Sequence, residues 1–87
     1  MKRKKAVALK YDKGYKAPIV TALGAGKIAE SIINLASENK IPIVENKDLT
    51  ESLSMLNLGD TIPQELYETV AEIIAYIHRI SSKIEDF

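Results

Sequence analysis

Residues Pro18 to Glu45, PIVTALGAGKIAESIINLASENKIPIVE, decide the fold. The segment opens with an apolar run, Ile19 to Leu23, and turns at Gly24-Ala25-Gly26. A helical pattern then runs to about Lys40, in which Ile28, Ile32, Leu35 and Ala36 recur on one face of a 3.6-residue period. A second apolar run, Ile41-Pro42-Ile43-Val44, ends at Glu45. Strand, helix and strand make a βαβ unit, whose two strands must lie parallel across a right-handed crossover.

Gly24-Ala25-Gly26-Lys27-Ile28-Ala29 also spells GxGxxA between a strand and a helix start, with an acid, Glu45, closing the next strand. That is the layout of a dinucleotide site, where glycines admit a pyrophosphate to a helix N-terminus. The residues after Glu45 read as helices, so the further strands of a dinucleotide fold are missing. A phosphate-loop reading fails on spacing, since Ile28 follows Lys27. Gly24 and Gly26 therefore read as a tight strand-to-helix turn, with nucleotide binding through Gly24, Gly26 and Lys27 kept as a rival.

Working outward, the chain of 87 residues is one domain's worth, with 46% hydrophobic and 28% charged residues, globular values that argue against wholesale disorder. Twelve basic and twelve acidic residues leave a formal net charge of +0, so bulk electrostatics selects no partner. Without cysteine there is neither a disulfide framework nor a thiolate metal site, which fits a reducing compartment. No apolar run reaches the length of a membrane span. The expectation is a cytoplasmic protein.

Met1 to Lys5 forms a basic arm, a solvated terminus that discourages edge-to-edge strand pairing. Ala6 to Tyr11 alternates, with Val7, Leu9 and Tyr11 on one face and Ala6, Ala8 and Lys10 on the other, so it reads as a strand whose small face admits a helix. The loop Asp12 to Lys16 is too short for a crossover and predicts an antiparallel hairpin with the strand that Pro18 begins. Beyond Glu45, Asp48 is placed to cap a short helix carrying Leu49, Leu53 and Leu56, with Glu51 in capping-box spacing and Gly59 as its C′ glycine. Pro63 opens a last helix running to about Lys83. Leu66, Val70, Ile73, Ile77 and Ile84 are its sheet-facing stripe. Tyr67, Ala71, Ile74 and His78 flank that stripe, so the apolar arc covers about half the circumference. The excess either packs under the Leu49–Leu56 helix or stays partly exposed as a docking groove.

The expected fold is thus α/β (mixed α+β): a small three-stranded mixed sheet, residues 6–11, 18–23 and 41–45, with one βαβ unit and three packed helices. Residues 1–5 are the arm, 6–84 a single module and 85–87 a tail.

Catalytic constellations are scarce. His78 is the only histidine and reads as a helix-end residue interacting with the dipole. The glutamates of the last helix share one solvated face and give no acid–base pair with unlike environments. The serines lack a nucleophile-elbow context. Neither an enzyme nor a cofactor or metal is expected.

Taken together, AVALKYD at 6–12, Ala17-Pro18, Gly24-Ala25-Gly26, IPIVE at 41–45, Gly59 and IPQELYE at 62–68 closely resemble the cytoplasmic C-terminal domain of the flagellar export-switch protein FlhB and its type III secretion relatives. The resemblance covers Ala6 to about Ile80, and AVALKYD and IPQELYE are its most specific parts. It implies a non-catalytic protein-binding role at the export gate: recognising secretion substrates and helping to switch export class. The family's hydrophobic substrate-contact patch maps onto Ala17, Pro18, Ala71 and Ile74. The implied partners are export substrates or export-apparatus components, with no nucleic acid and no small-molecule substrate; a cytosolic adaptor with other partners is the alternative.

Family members carry membrane helices and a self-cleaving Asn-Pro-Thr-His loop ahead of this domain. Met1-Lys2-Arg3-Lys4 stands where that loop would align, and none of Asn34, Asn39, Asn46 or Asn57 precedes a proline. The sequence thus reads as a stand-alone form of the already-cleaved module, without autocleavage. The strand that precedes the family's loop is also absent, which predicts an open sheet edge.

Overall fold

The structure is a computed structural model describing residues 4–85, with side chains described through residue 80. Most of the basic arm and of the tail lies outside those residues. The order of elements is β1 (Lys5–Lys10), β2 (Ile19–Ala25), α1 (Lys27–Glu38), α2 (Lys47–Leu53), a 3-10 turn (Gln64–Leu66) and α3 (Tyr67–Glu85).

β1 and β2 pair antiparallel, from Lys5 opposite Ala25 to Lys10 opposite Ile19, as the short Asp12–Lys16 connection requires. The register slips between Ala8 and Leu9, because Ala8 faces Ala22 while Leu9 faces Val20. Thr21 is the extra residue, and its hydroxyl donates to the Ala8 carbonyl at 3.3 Å across this bulge.

Among the described residues the sheet has two strands, not the expected three. Residues 41–46 form no strand and close no parallel βαβ unit. The edge of β2 that they would have joined is taken. Val20 donates from its amide to the Asp60 carbonyl (2.9 Å) and accepts from Gly59 (2.8 Å), and Ile62 donates to Pro18 (3.0 Å). An isolated antiparallel bridge joins Ile19 to Thr61. Pro42 also removes one donor from the run.

The glycine turn behaves as a turn. Gly26 has φ 62° and caps α1 without a side-chain bond, while its amide donates to the Lys4 carbonyl at 2.8 Å. A Cβ on Gly24 would collide with Cγ2 of Ile28 and lie 2.8 Å from its Cβ, so Gly24 is there for close approach. α1 packs on both strands, but on a face rotated from the expected one. Ala29 is fully buried and Ile32, Ile33 and Ala36 are half-buried, whereas Ile28 and Leu35 are 61% and 60% exposed. Placing the small Ala29 inward lets the helix lie close to the sheet, which swings the bulkier Ile28 over Gly24.

α1 ends in a Schellman motif: Lys40 donates to Ser37 (3.2 Å) and Ile41 to Ala36 (2.8 Å). Lys40 occupies the left-handed position with φ 57°. The cap of α2 is Asn46, whose side chain accepts from the Leu49 amide at 3.0 Å. The expected cap, Asp48, instead lies in the first turn, where its charge still complements the dipole. The helix stops at Leu53 rather than near Gly59. Gly59, with φ 87°, belongs to a separate turn, in which Asp60 accepts from the Asn57 amide at 2.9 Å.

The main core is Ala17, Leu53, Ile62 and Val70, with Val7, Leu9, Leu49, Leu56, Leu66 and Ile74 packed around it. Leu66, Val70 and Ile74 follow at four-residue spacing, so the inward row of the last helix includes Ile74. Ile73 and Ile77 are half-buried beside it; the side chain of Ile84 lies outside the described residues.

Candidate functional site

Ala17 and Pro18 sit between the hairpin loop and β2, both buried. The bond from the Ile62 amide to the Pro18 carbonyl fixes them, and Ile62 is itself only 2% exposed. α3 crosses beside them and brings Val70 into the same floor. Two four-residue rows of α3 then rise from that floor: Val70, Ile74 and His78, and Tyr67, Ala71 and Ala75. The second row is exposed along its length, and its two alanines leave a depression where larger side chains would fill the space.

The result is one open cavity of about 410 Å³ with all four sequence-nominated residues, Ala17, Pro18, Ala71 and Ile74, in its lining. Ala17 and Pro18 are floor, Ile74 is a half-buried wall that also touches the core, and Ala71 is exposed wall. Sequence reading did not nominate Tyr11, Lys16, Ile62, Tyr67, Val70, Ala75 and His78, which complete the lining. Tyr67 and His78 were legible in part, since they share the flanking stripe with Ala71 and Ile74. Tyr11 was not, because strand alternation places it on the core face, yet it is 52% exposed.

His78 is not a helix-end residue. α3 continues to Glu85, so His78 lies before the last turn, where the dipole acts most strongly. Its position is the rim of the cavity. Among the described residues no three metal-ligating side chains cluster and no buried side-chain polar atom lacks a partner. The cavity therefore offers apolar contact with a sparse polar rim, the chemistry of a surface that binds another apolar group. No helix among the described residues is long and apolar enough to cross a membrane.

These features describe a small α/β domain with an open apolar cleft beside α3. Comparison with known proteins supplies the family. The profile of the FlhB HrpN YscU SpaS family matches residues 3–77, and the chain belongs to that family. It is 43% identical over 84 residues to the uncharacterized protein YlqH of Bacillus subtilis (strain 168), covering 95% of this chain and 90% of that one. It is 42% identical over 74 residues to the flagellar biosynthetic protein FlhB of Aquifex aeolicus (strain VF5), covering 83% of this chain and 21% of that protein. The chain thus spans nearly all of YlqH but about a fifth of that FlhB. Among solved structures, the cytoplasmic domain of FlhB from Shewanella putrefaciens superposes with a TM-score of 0.88 at 31% identity, over 94% of this chain and 69% of that one.

Proposed function

We propose that this protein is a non-catalytic docking module of flagellar or related type III export. It binds export substrates or export-apparatus components on the cytoplasmic side, through Ala17, Pro18, Ala71 and Ile74. The observation that carries this reading is the convergence of those four residues on one open apolar cavity in a chain of the export-switch family. A buried floor with exposed alanine walls suits an apolar anchor from a partner: contact area is gained without displacing the domain's own side chains. Lys16, Tyr11 and Tyr67 at the rim give the partner polar and aromatic contacts as the anchor seats.

No observation favours the nucleotide reading. Gly24 is packed against Ile28 and the Gly26 amide is already bonded to Lys4, so these glycines have a structural use. The test of the docking role is a titration of the isotope-labelled chain with a purified flagellar hook or rod substrate, followed by NMR. Shifts centred on Ala17, Ala71 and Ile74 support it. Binding that leaves those amides unmoved overturns it.

A further inference from the structure

α1 carries more apolar surface than its own chain covers. Ala29 is buried and Ile32, Ile33 and Ala36 are half-buried, yet Ile28 and Leu35 stand exposed two turns apart on one face, with Ser31 and Ile32 between them. This stripe can lose its water at little cost. The Ser31 hydroxyl donates to the Lys27 carbonyl at 3.1 Å, and at the far end the Asn39 side-chain amide donates to the Leu35 carbonyl at 2.8 Å. Both side-chain donors are therefore already engaged within the helix.

The ends of α1 carry charges of the wrong sign for their own helix. Lys27 is its first residue and Glu38 its last, so a cation sits at the positive end of the dipole and an anion at the negative end. Both are exposed, and neither makes an ion pair among the described residues.

We propose that this face binds a second copy of the chain, through antiparallel α1 helices related by a two-fold axis. Ile28 of each copy lies against Leu35 of the other, with Ser31 and Ile32 at the axis. In that register Glu38 of the second copy lies about 3 Å along the helix from the level of Lys27, within reach of the lysine side chain. Symmetry repeats the pair at the other end. Each charge that opposes its own dipole thus faces the favourable end of its neighbour's. Charge complementarity selects this occupant over the others. A parallel pair would set Lys27 against Lys27 and Glu38 against Glu38. An anionic lipid surface would meet Glu30 and Glu38 against the single cation Lys27.

The helix has 12 residues, a length of about 18 Å. Its interface is therefore smaller than the roughly 800 Å² per partner of a stable complex, and the dimer forms in the high micromolar range. None of its residues lines the docking cleft, so the two surfaces can be tested apart.

The experiment is sedimentation equilibrium of the full chain between about 10 µM and 1 mM. The wild type should pass from monomer to dimer across that range, and Leu35→Glu, at an exposed position, should stay monomeric. Lys27→Glu and Glu38→Lys should each weaken dimerisation about tenfold. Each also improves the match to the dipole of its own helix, so neither lowers the melting temperature of the monomer. Mixing these two single variants should restore a dimer containing one of each, and combining both changes in one chain should restore self-association. In a mixed-isotope sample, the Ile28 methyls of one copy should show NOEs to the Leu35 methyls of the other. A monomer at the top concentration would overturn the proposal. So would a dimer that survives Leu35→Glu, charge variants that dimerise like the wild type, or a mixture no tighter than its components.

Discussion

The amide of Ile62 donates to the carbonyl of Pro18 across 3.0 Å, and that bond joins the domain's core to the floor of the open cleft. Ile62 is among the most deeply buried side chains, while Pro18 is the floor of the open cleft. The chain segment that closes the β2 edge is thus also the one that holds the cleft in shape. An unpaired carbonyl at Pro18 would be expensive in so small a domain.

Truncating Ile62 to alanine should therefore cost about 2–5 kcal/mol, the range for deleting a buried aliphatic side chain. Against a typical total of about 5–15 kcal/mol, this leaves a measurable but weakened fold. Urea denaturation checks it: an unchanged midpoint would show that Ile62 is not the keystone described.

Gly24→Ala places a methyl group against Ile28, so α1 must move off the sheet, with an expected loss of about 1–3 kcal/mol. Adding Ile28→Ala, at a position already 61% exposed, should recover most of that loss. Strictly additive effects in the double-mutant cycle would contradict the close approach.

Lys40 holds a left-handed conformation at the Schellman position of α1, with φ 57°. Glycine adopts it without the Cβ penalty, and its extra unfolded-state freedom offsets only part of the gain. Lys40→Gly should raise stability by about 0.5–1 kcal/mol. A lowered melting temperature would be the contrary result.

Asn46→Ala removes the side-chain acceptor for the Leu49 amide and should cost about 1 kcal/mol. Asp48→Ala should cost less, because Asp48 acts only through the dipole. Equal losses, measured by thermal melts, would restore Asp48 as the cap.

Local chemistry made much of this fold readable. The short polar loop gave the hairpin, the glycine pair the turn, and the four-residue spacing the last helix and its second stripe. All four cleft residues were nominated through the family resemblance, and the pattern alone added only that Ala71 and Ile74 share that stripe. What could not be read was set by tertiary competition. Residues 41–45 carry a strand's composition, but residues 59–62 had taken the β2 edge. The buried face of α1 turned on the small Ala29 rather than on the larger Ile28 and Leu35. Asn46 out-competed Asp48 because the chain enters α2 extended at that residue, with φ −151°. Nothing in the local pattern states such choices.

The most direct test of the docking account compares Ala71→Asp with Ile74→Asp for melting temperature and for affinity toward a purified export substrate. Ala71 is exposed, so its aspartate should leave the melt unchanged and weaken binding about tenfold or more, since the new charge must be desolvated on association. Ile74 is half-buried against the core, so its aspartate should lower both stability and binding. Undiminished affinity in Ala71→Asp, with an intact melt, would contradict the claim that this cleft is where the partner docks.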